Sequence, residues 1–311
     1  MEEWLAVSRP DGRTIEVVAT GKPGTLGPLP VLFHNGTPTA ALLYAPMVDA
    51  VARHGSGVVT FSRPGYGSST AQPGRNVASV AADSAAVLNA LGVTEFVTVG
   101  WSGGGPHALA CAGLLADRCR ACASLAGVAP YGQFDWMAGM GEPNVEEFSA
   151  ALGGEKQLTE FLSPGIDDLA ALKADGLVEA LGDLASEVDK STLTGEFAEF
   201  VAALFRRAAA QGIAGWRDDD LAFTRDWGFD LASIATPVAI WQGRHDRMVP
   251  FAHGKWLAAN VPGAVAHFAD DGGPSHLSST HSTRSSTTST RSLTHGPRRR
   301  GTQQRLEIAR T

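Results

Sequence analysis

Cysteine is scarce. The 311-residue chain holds three, Cys111, Cys119 and Cys122. That excludes a disulfide framework and points to a reducing compartment. Cys119-Arg120-Ala121-Cys122 has the CxxC spacing, but it enters an apolar strand instead of opening a helix. All three therefore read as core thiols. No run of about eighteen apolar residues occurs, which excludes a helical membrane span. The start, Met1-Glu2-Glu3-Trp4, lacks the basic-then-apolar order of a signal peptide, so the expected location is cytoplasmic. Basic charge is the minority: 25 Lys and Arg against 32 Asp and Glu leave a net charge of −7. That balance argues against a nucleic-acid partner. Apolar residues are plentiful, at 44%, and the length suits one large α/β domain with an insertion, or two ordinary domains.

The apolar residues are arranged in short runs. Leu5-Ala6-Val7 and Ile15-Glu16-Val17-Val18 flank Arg9-Pro10-Asp11-Gly12, a hairpin signal. Strands are expected at 31–33, 58–61, 96–99, 121–125, 238–241 and 265–268. Val77, Val80, Ser84, Val87, Leu88 and Leu91 are spaced for one face of a helix. Continuous apolar strands alternating with helices imply a mostly parallel sheet covered on both faces, with ligands at the carboxyl ends of the strands. The alternation stops near Ala129-Pro130. Residues 130–230 carry helical patterns, at 146–152, 158–162 and 197–205, and no obvious strand, as a lid over the strand ends would. From 274 to 311 the chain has 8 Ser, 8 Thr, 7 Arg and one acid, Glu307. Such a tail reads as disordered, and its aperiodic Ser/Thr/Arg composition is also what a GC-rich gene gives out of frame.

One pattern carries chemistry. Gly100-Trp101-Ser102-Gly103-Gly104 follows the run Phe96–Val99 and precedes Pro106–Ala112, which reads as a helix. A strand, Gly-x-Ser-x-Gly, then a helix is a nucleophile elbow. The turn is so sharp that the positions two before and two after the serine must be very small. The serine oxygen then stands at a helix N-terminus, where free N–H groups can hold an oxyanion. Serine needs a base, usually histidine, and an acid to orient it. Asp246 is the candidate acid, in the turn after the strand 238–241. His276 is the candidate base, in the loop after the strand 265–268. His267 lies within that strand and reads as a half-buried structural group, and His245 adjoins the acid. His34 and His107 flank the pocket but precede the acid, and His281 and His295 lie in the tail. Backbone N–H groups of Gly103 and of Thr37, in Phe33-His34-Asn35-Gly36-Thr37-Pro38, are the candidate oxyanion donors. Trp101, Trp136, Met137 and Met140 are candidates for an apolar substrate pocket, packing being the competing reading for the last three. Arg63-Pro64-Gly65-Tyr66-Gly67-Ser68-Ser69 reads as a tight loop beside it. Asp218, Asp219 and Asp220 read as a solvated helix start, not a metal site.

With His34–Pro38, Arg63–Ser68, Gly100–Gly104 and Gly243-Arg244-His245-Asp246-Arg247-Met248-Val249-Pro250 in this order, residues 4–276 resemble the α/β-hydrolase superfamily. The resemblance implies an eight-stranded, mostly parallel sheet with helices on both faces and a helical cap inserted after strand 6. The core is then 1–129 with 231–276, the cap 130–230 and the tail 277–311. The family's dehalogenases and epoxide hydrolases use a carboxylate nucleophile, against which Ser102 argues. The family usually has Gly-His-x-Ser after the last strand. Here Gly273 is followed by Pro274-Ser275, and the histidine arrives two positions late. A covering helix should follow, and the Ser/Thr/Arg tail supplies none, which would leave apolar sheet surface bare. The expected activity is serine hydrolysis of a small-molecule ester or related acyl compound, with no metal or organic cofactor. A peptidase, a carbon–carbon hydrolase and a non-catalytic or inactive member of the fold stand as alternatives.

Overall fold

The computed structural model describes residues 2–270. His276 and the tail expected from 277 lie outside them. The sheet strands are β1 (Glu3–Ser8), β2 (Thr14–Ala19), β3 (Val31–His34), β4 (Val58–Phe61), β5 (Phe96–Trp101), β6 (Cys119–Leu125), β7 (Val238–Gly243) and β8 (Val265–Ala269). They form one eight-stranded sheet in the order β1-β2-β4-β3-β5-β6-β7-β8. β1 pairs antiparallel with β2, and β2 with β4. The other ladders are parallel.

Every residue of β3 and β4 is buried, as expected of parallel strands covered on both faces. β1 alternates in burial at the edge. Helices α1 (Ala45–Ala52), α2 (Ser79–Ala90) and α3 (Gly105–Leu114) follow β3, β4 and β5. In α3 the residues Gly105 to Ala112 are all buried. Its small side chains, Ala108, Ala110, Cys111 and Ala112, let the helix lie close to the sheet. The three cysteines are buried and free. Burial pushes the Cys111 thiol up to about 12, which keeps it protonated and unreactive at neutral pH.

Between β6 and β7 lie seven helices: α4 (Glu142–Leu152), α5 (Glu155–Leu162), α6 (Ile166–Ala171), α7 (Leu177–Leu181), α8 (Glu187–Thr192), α9 (Gly195–Ala208) and α10 (Ala214–Phe223). The reading of this region as strand-free needs one correction. A short strand, Ala210–Ile213, joins α9 to α10 outside the main sheet. Its sequence, Ala-Gln-Gly-Ile, carries no apolar alternation by which it could be read. Helix α11 (Phe251–Asn260) returns the chain to β8. On that edge strand Val265 and Phe268 are exposed.

Candidate active site

β5 ends at Trp101, and the chain turns through a single 3-10 turn, Ser102–Gly104, directly into α3. Ser102 has φ 52°, in the left-handed region that costs a non-glycine residue on the order of 1–3 kcal/mol. The glycines around it show what holds it there. A Cβ on Gly100 would strike the Gly104 carbonyl and lie 2.8 Å from the Gly105 Cα. A Cβ on Gly104 would strike the His34 carbonyl oxygen, and one on Gly103 the Thr37 side chain. One on Gly36 would sit 3.3 Å from the Ser102 Cβ. The elbow and the loop after β3 are thus packed backbone against backbone, with Ser102 between them. Thr37, Gly103 and Ser102 are brought together as the sequence suggests.

Asp246 follows β7 in a tight turn and is buried. Its Oδ1 accepts the Met248 N–H at 2.9 Å and the Val249 N–H at 2.8 Å, and its Oδ2 accepts Gln242 Nε2 at 3.0 Å. Burial pushes its carboxyl well above the usual range, and the Asp189 carboxylate adds to this. The Val249, Met248 and Gln242 donors oppose it. Asp246 lines an open cleft of about 570 Å³ with Ser186, Lys190, His245 and Pro250. Ser102 follows β5 and Asp246 follows β7, with β6 between. Two strand spacings put these strand ends roughly 10 Å apart.

Trp101 packs at 6.5 Å from Phe197 of α9, in a cluster with Leu177 and Tyr44. Of the other pocket candidates, Trp136 and Met140 are buried in the main core cluster and Met137 packs half-buried against it. Trp136 is 2% exposed, donates its Nε1–H to the Ala129 carbonyl at 2.6 Å and meets the Phe148 and His253 rings. His267 is half-buried and stacks on Trp241, as expected of a structural group.

The reading of Asp218, Asp219 and Asp220 as a solvated helix start is wrong. All three lie within α10 and are buried. Asp219 is 0% exposed, at the centre of a charged cluster behind the 35–37 loop. Its Oδ2 accepts from Arg63 Nη2 at 2.6 Å, Thr37 Oγ1 at 2.7 Å and the Tyr66 hydroxyl at 3.0 Å. Arg75 Nη1 meets its Oδ1 at 2.6 Å, and His107 Nε2 lies 3.5 Å away. Burial alone would raise the Asp219 carboxyl, but Arg63 and then Arg75 hold it well below the usual range. Burial pushes His107 down to about 4, against the pull of Asp219. Sequence reasoning missed this cluster, although a signal was present. Gly215, Asp219, Ala222 and Phe223 share one helical face, and the other three are small or apolar. Among the described residues no group of three or more His, Cys, Asp or Glu side chains is arranged to hold a metal ion.

A Gly-x-Ser-x-Gly turn between the fifth strand and a helix, in an eight-stranded and mostly parallel sheet with a helical insertion between the sixth and seventh strands, gives the α/β-hydrolase architecture. The family described as alpha/beta hydrolase fold matches residues 30–278, and the chain belongs to that family. An alpha/beta hydrolase fold protein from Nakamurella multipartita is 24% identical, with TM-score 0.63 over 88% of this chain and 93% of that one. A bromoperoxidase from Bacillus anthracis is 21% identical, with TM-score 0.64 over 89% and 94%. An esterase from Exiguobacterium antarcticum is 17% identical, with TM-score 0.60 over 88% and 94%. At these identities the likeness is one of fold. No curated protein matches the chain. No helix among the described residues is long and apolar enough to cross a membrane.

Proposed function

We propose that the protein is a serine hydrolase that cleaves an ester or related acyl compound. The observation that carries this reading is the left-handed Ser102, φ 52°, held between a strand and a helix by glycines that admit no side chain. Such strain persists only where the surroundings enforce it, and it collects at functional sites. In this reading Ser102 Oγ attacks the acyl carbonyl and the His276 imidazole takes its proton. Asp246 orients the ring and balances the imidazolium, whose positive charge draws the raised Asp246 carboxyl back towards ionisation. The Thr37 and Gly103 N–H groups hold the oxyanion, and water resolves the acyl-enzyme with His276 again as base. His276 enters by chain order, Ser then Asp then His. The helices α4–α10 act as the cap, with Trp101 and Phe197 at its contact with the strand ends. The steps require no metal or organic cofactor. The shared fold of the Exiguobacterium esterase fits an ester substrate.

A fluorophosphonate probe on the full-length protein tests the nucleophile. Labelling of wild type and none of Ser102→Ala is expected, together with turnover of short p-nitrophenyl esters. Equal labelling of both proteins, or of neither, would sink the reading.

A further inference from the structure

The candidate oxyanion loop is held jointly by Arg63 of the core and Asp219 of the insertion. Arg63 donates Nη1 to the Asn35 carbonyl at 2.6 Å and Nη2 to the Gly36 carbonyl at 2.7 Å. In a trans peptide the C=O and the following N–H point in opposite directions. Fixing the Gly36 carbonyl on Arg63 therefore aims the Thr37 N–H to the other side of the peptide plane, away from the guanidinium. The Thr37 side chain is tied to the same group. Its hydroxyl donates to Asp219 at 2.7 Å and accepts from Arg63 at 3.0 Å.

Asp219 reaches this place because α10 lies directly on the Arg63–Ser69 loop. Gly65 has φ 88°, and a Cβ on it would lie 2.7 Å from the Gly215 N. A Cβ on Gly215 would lie 2.6 Å from the Tyr66 ring. Arg75 donates to the Gly215 carbonyl at 3.1 Å and also pairs with Asp219. Two glycines set the approach, and a buried carboxylate within it serves two guanidiniums and the loop hydroxyl.

We propose that Asp219 of α10 and Arg63 are positioning residues that act through Thr37 to preorganise the oxyanion loop, so that the insertion completes the site it covers. This rests on the reading of the Thr37 N–H as an oxyanion donor. The chemistry calls for such a device, because an oxyanion donor is effective only when aimed before charge develops. Arg63, Asp219 and the Thr37 hydroxyl need not touch substrate.

The test uses full-length Thr37→Val, which keeps the N–H and the side-chain volume, with Thr37→Ser as the conservative rescue and Gly215→Ala to lift α10. Amide exchange of peptides spanning 31–40 is read beside kcat and KM for p-nitrophenyl acetate. T37V is expected to speed exchange locally at 35–39 and to lower kcat by roughly 10- to 100-fold, short of the full loss of a donor, with KM within about twofold. T37S should restore both, and G215A should loosen the same loop from the other side of the contact. Unchanged exchange in T37V overturns the clamp whatever the activity. Loosened exchange with kcat within about twofold overturns the positioning role, and an unmoved loop in G215A overturns the part given to α10. If wild type neither turns over ester nor takes the probe while T37V still loosens the loop, the serine-hydrolase reading falls and the anchoring of the loop by the insertion stands.

Discussion

Arg63 and Asp219, 156 residues apart in the chain, meet at 2.6 Å with side chains 2% and 0% exposed. Neither charge has water to fall back on, so each depends on the charges buried beside it. Breaking such a pair costs about 3–5 kcal/mol. The two ends are not equal, however. Arg63→Met leaves Asp219 with Arg75 at 2.6 Å, whereas Asp219→Ala takes the paired carboxylate from both guanidiniums, which keep only carbonyl and hydroxyl acceptors. Denaturant melts should therefore rank D219A as the less stable protein, with the double variant R63M/D219A losing less than the sum. Additive losses would show that the pair is not coupled.

Acid should destabilise the protein through its buried histidines. His107 and His253 are both held down to about 4, with burial the main cause in each case. The unfolded chain protonates these groups near 6.5. Between pH 6.5 and 4 the unfolded state thus binds more protons, and stability falls as pH falls. Each group contributes a slope of at most about 1.4 kcal/mol per pH unit. The raised Asp246 carboxyl works in the opposite sense. His253 accepts the Ala129 N–H at 3.1 Å and lies 2.8 Å from the Trp136 carbonyl, contacts that glutamine can imitate. Melting temperature should fall from pH 7 to pH 5 in wild type, and less steeply in His253→Gln. Equal slopes would rule His253 out as a contributor.

The elbow makes a sharp contrast between two glycines. Gly104→Ala places a methyl against the His34 carbonyl, backbone on backbone with nothing flexible to yield. It should abolish soluble folded protein or cost several kcal/mol. Gly165 is in a short 3-10 turn, with open space where a Cβ would go. Gly165→Ala should be neutral or stabilising by roughly 0.4–1 kcal/mol, because alanine narrows the unfolded ensemble. Expression yield and thermal melts separate the two, and equal melting temperatures would refute the packing argument.

The sheet was legible because its signals are local. Val31–Phe33, Val58–Phe61 and Phe96–Val99 are unbroken apolar runs, and Gly100–Gly104 marks a turn that few residues can make. The turn that carries Asp246 was legible from the apolar run Val238–Trp241 before it. What stayed hidden depends on contacts between distant segments. A carboxylate triplet on a helix looks solvated until Arg63 and Arg75, brought from the first half of the chain, meet it. Trp136 suits both a pocket and a core by sequence, and its hydrogen bond to Ala129 and ring contact with Phe148 depend on partners that the sequence pattern does not reveal.

Asp220, beside Asp219, is in the opposite electrostatic state. Burial first, then the neighbouring Glu147, pushes its carboxyl well above the usual range, and the Arg75 charge opposes this only weakly. Glu147 is raised as well, chiefly by burial, and accepts the Trp216 Nε1–H at 2.7 Å. The folded state therefore keeps a proton that the unfolded chain releases above about pH 4. By linkage this contact loses stability as pH rises. Asp220→Asn removes the ionisable group, keeps the shape and supplies an N–H donor to Glu147. Its melting temperature should exceed wild type by roughly 2–4 °C at pH 8, the shift that about 1 kcal/mol gives in a domain of this size. The gain should shrink towards pH 5, where wild type no longer competes with solvent for the proton. A variant that melts lower than wild type at pH 8, or gains equally at both pH values, would mean that Asp220 is ionised and paired in the folded protein.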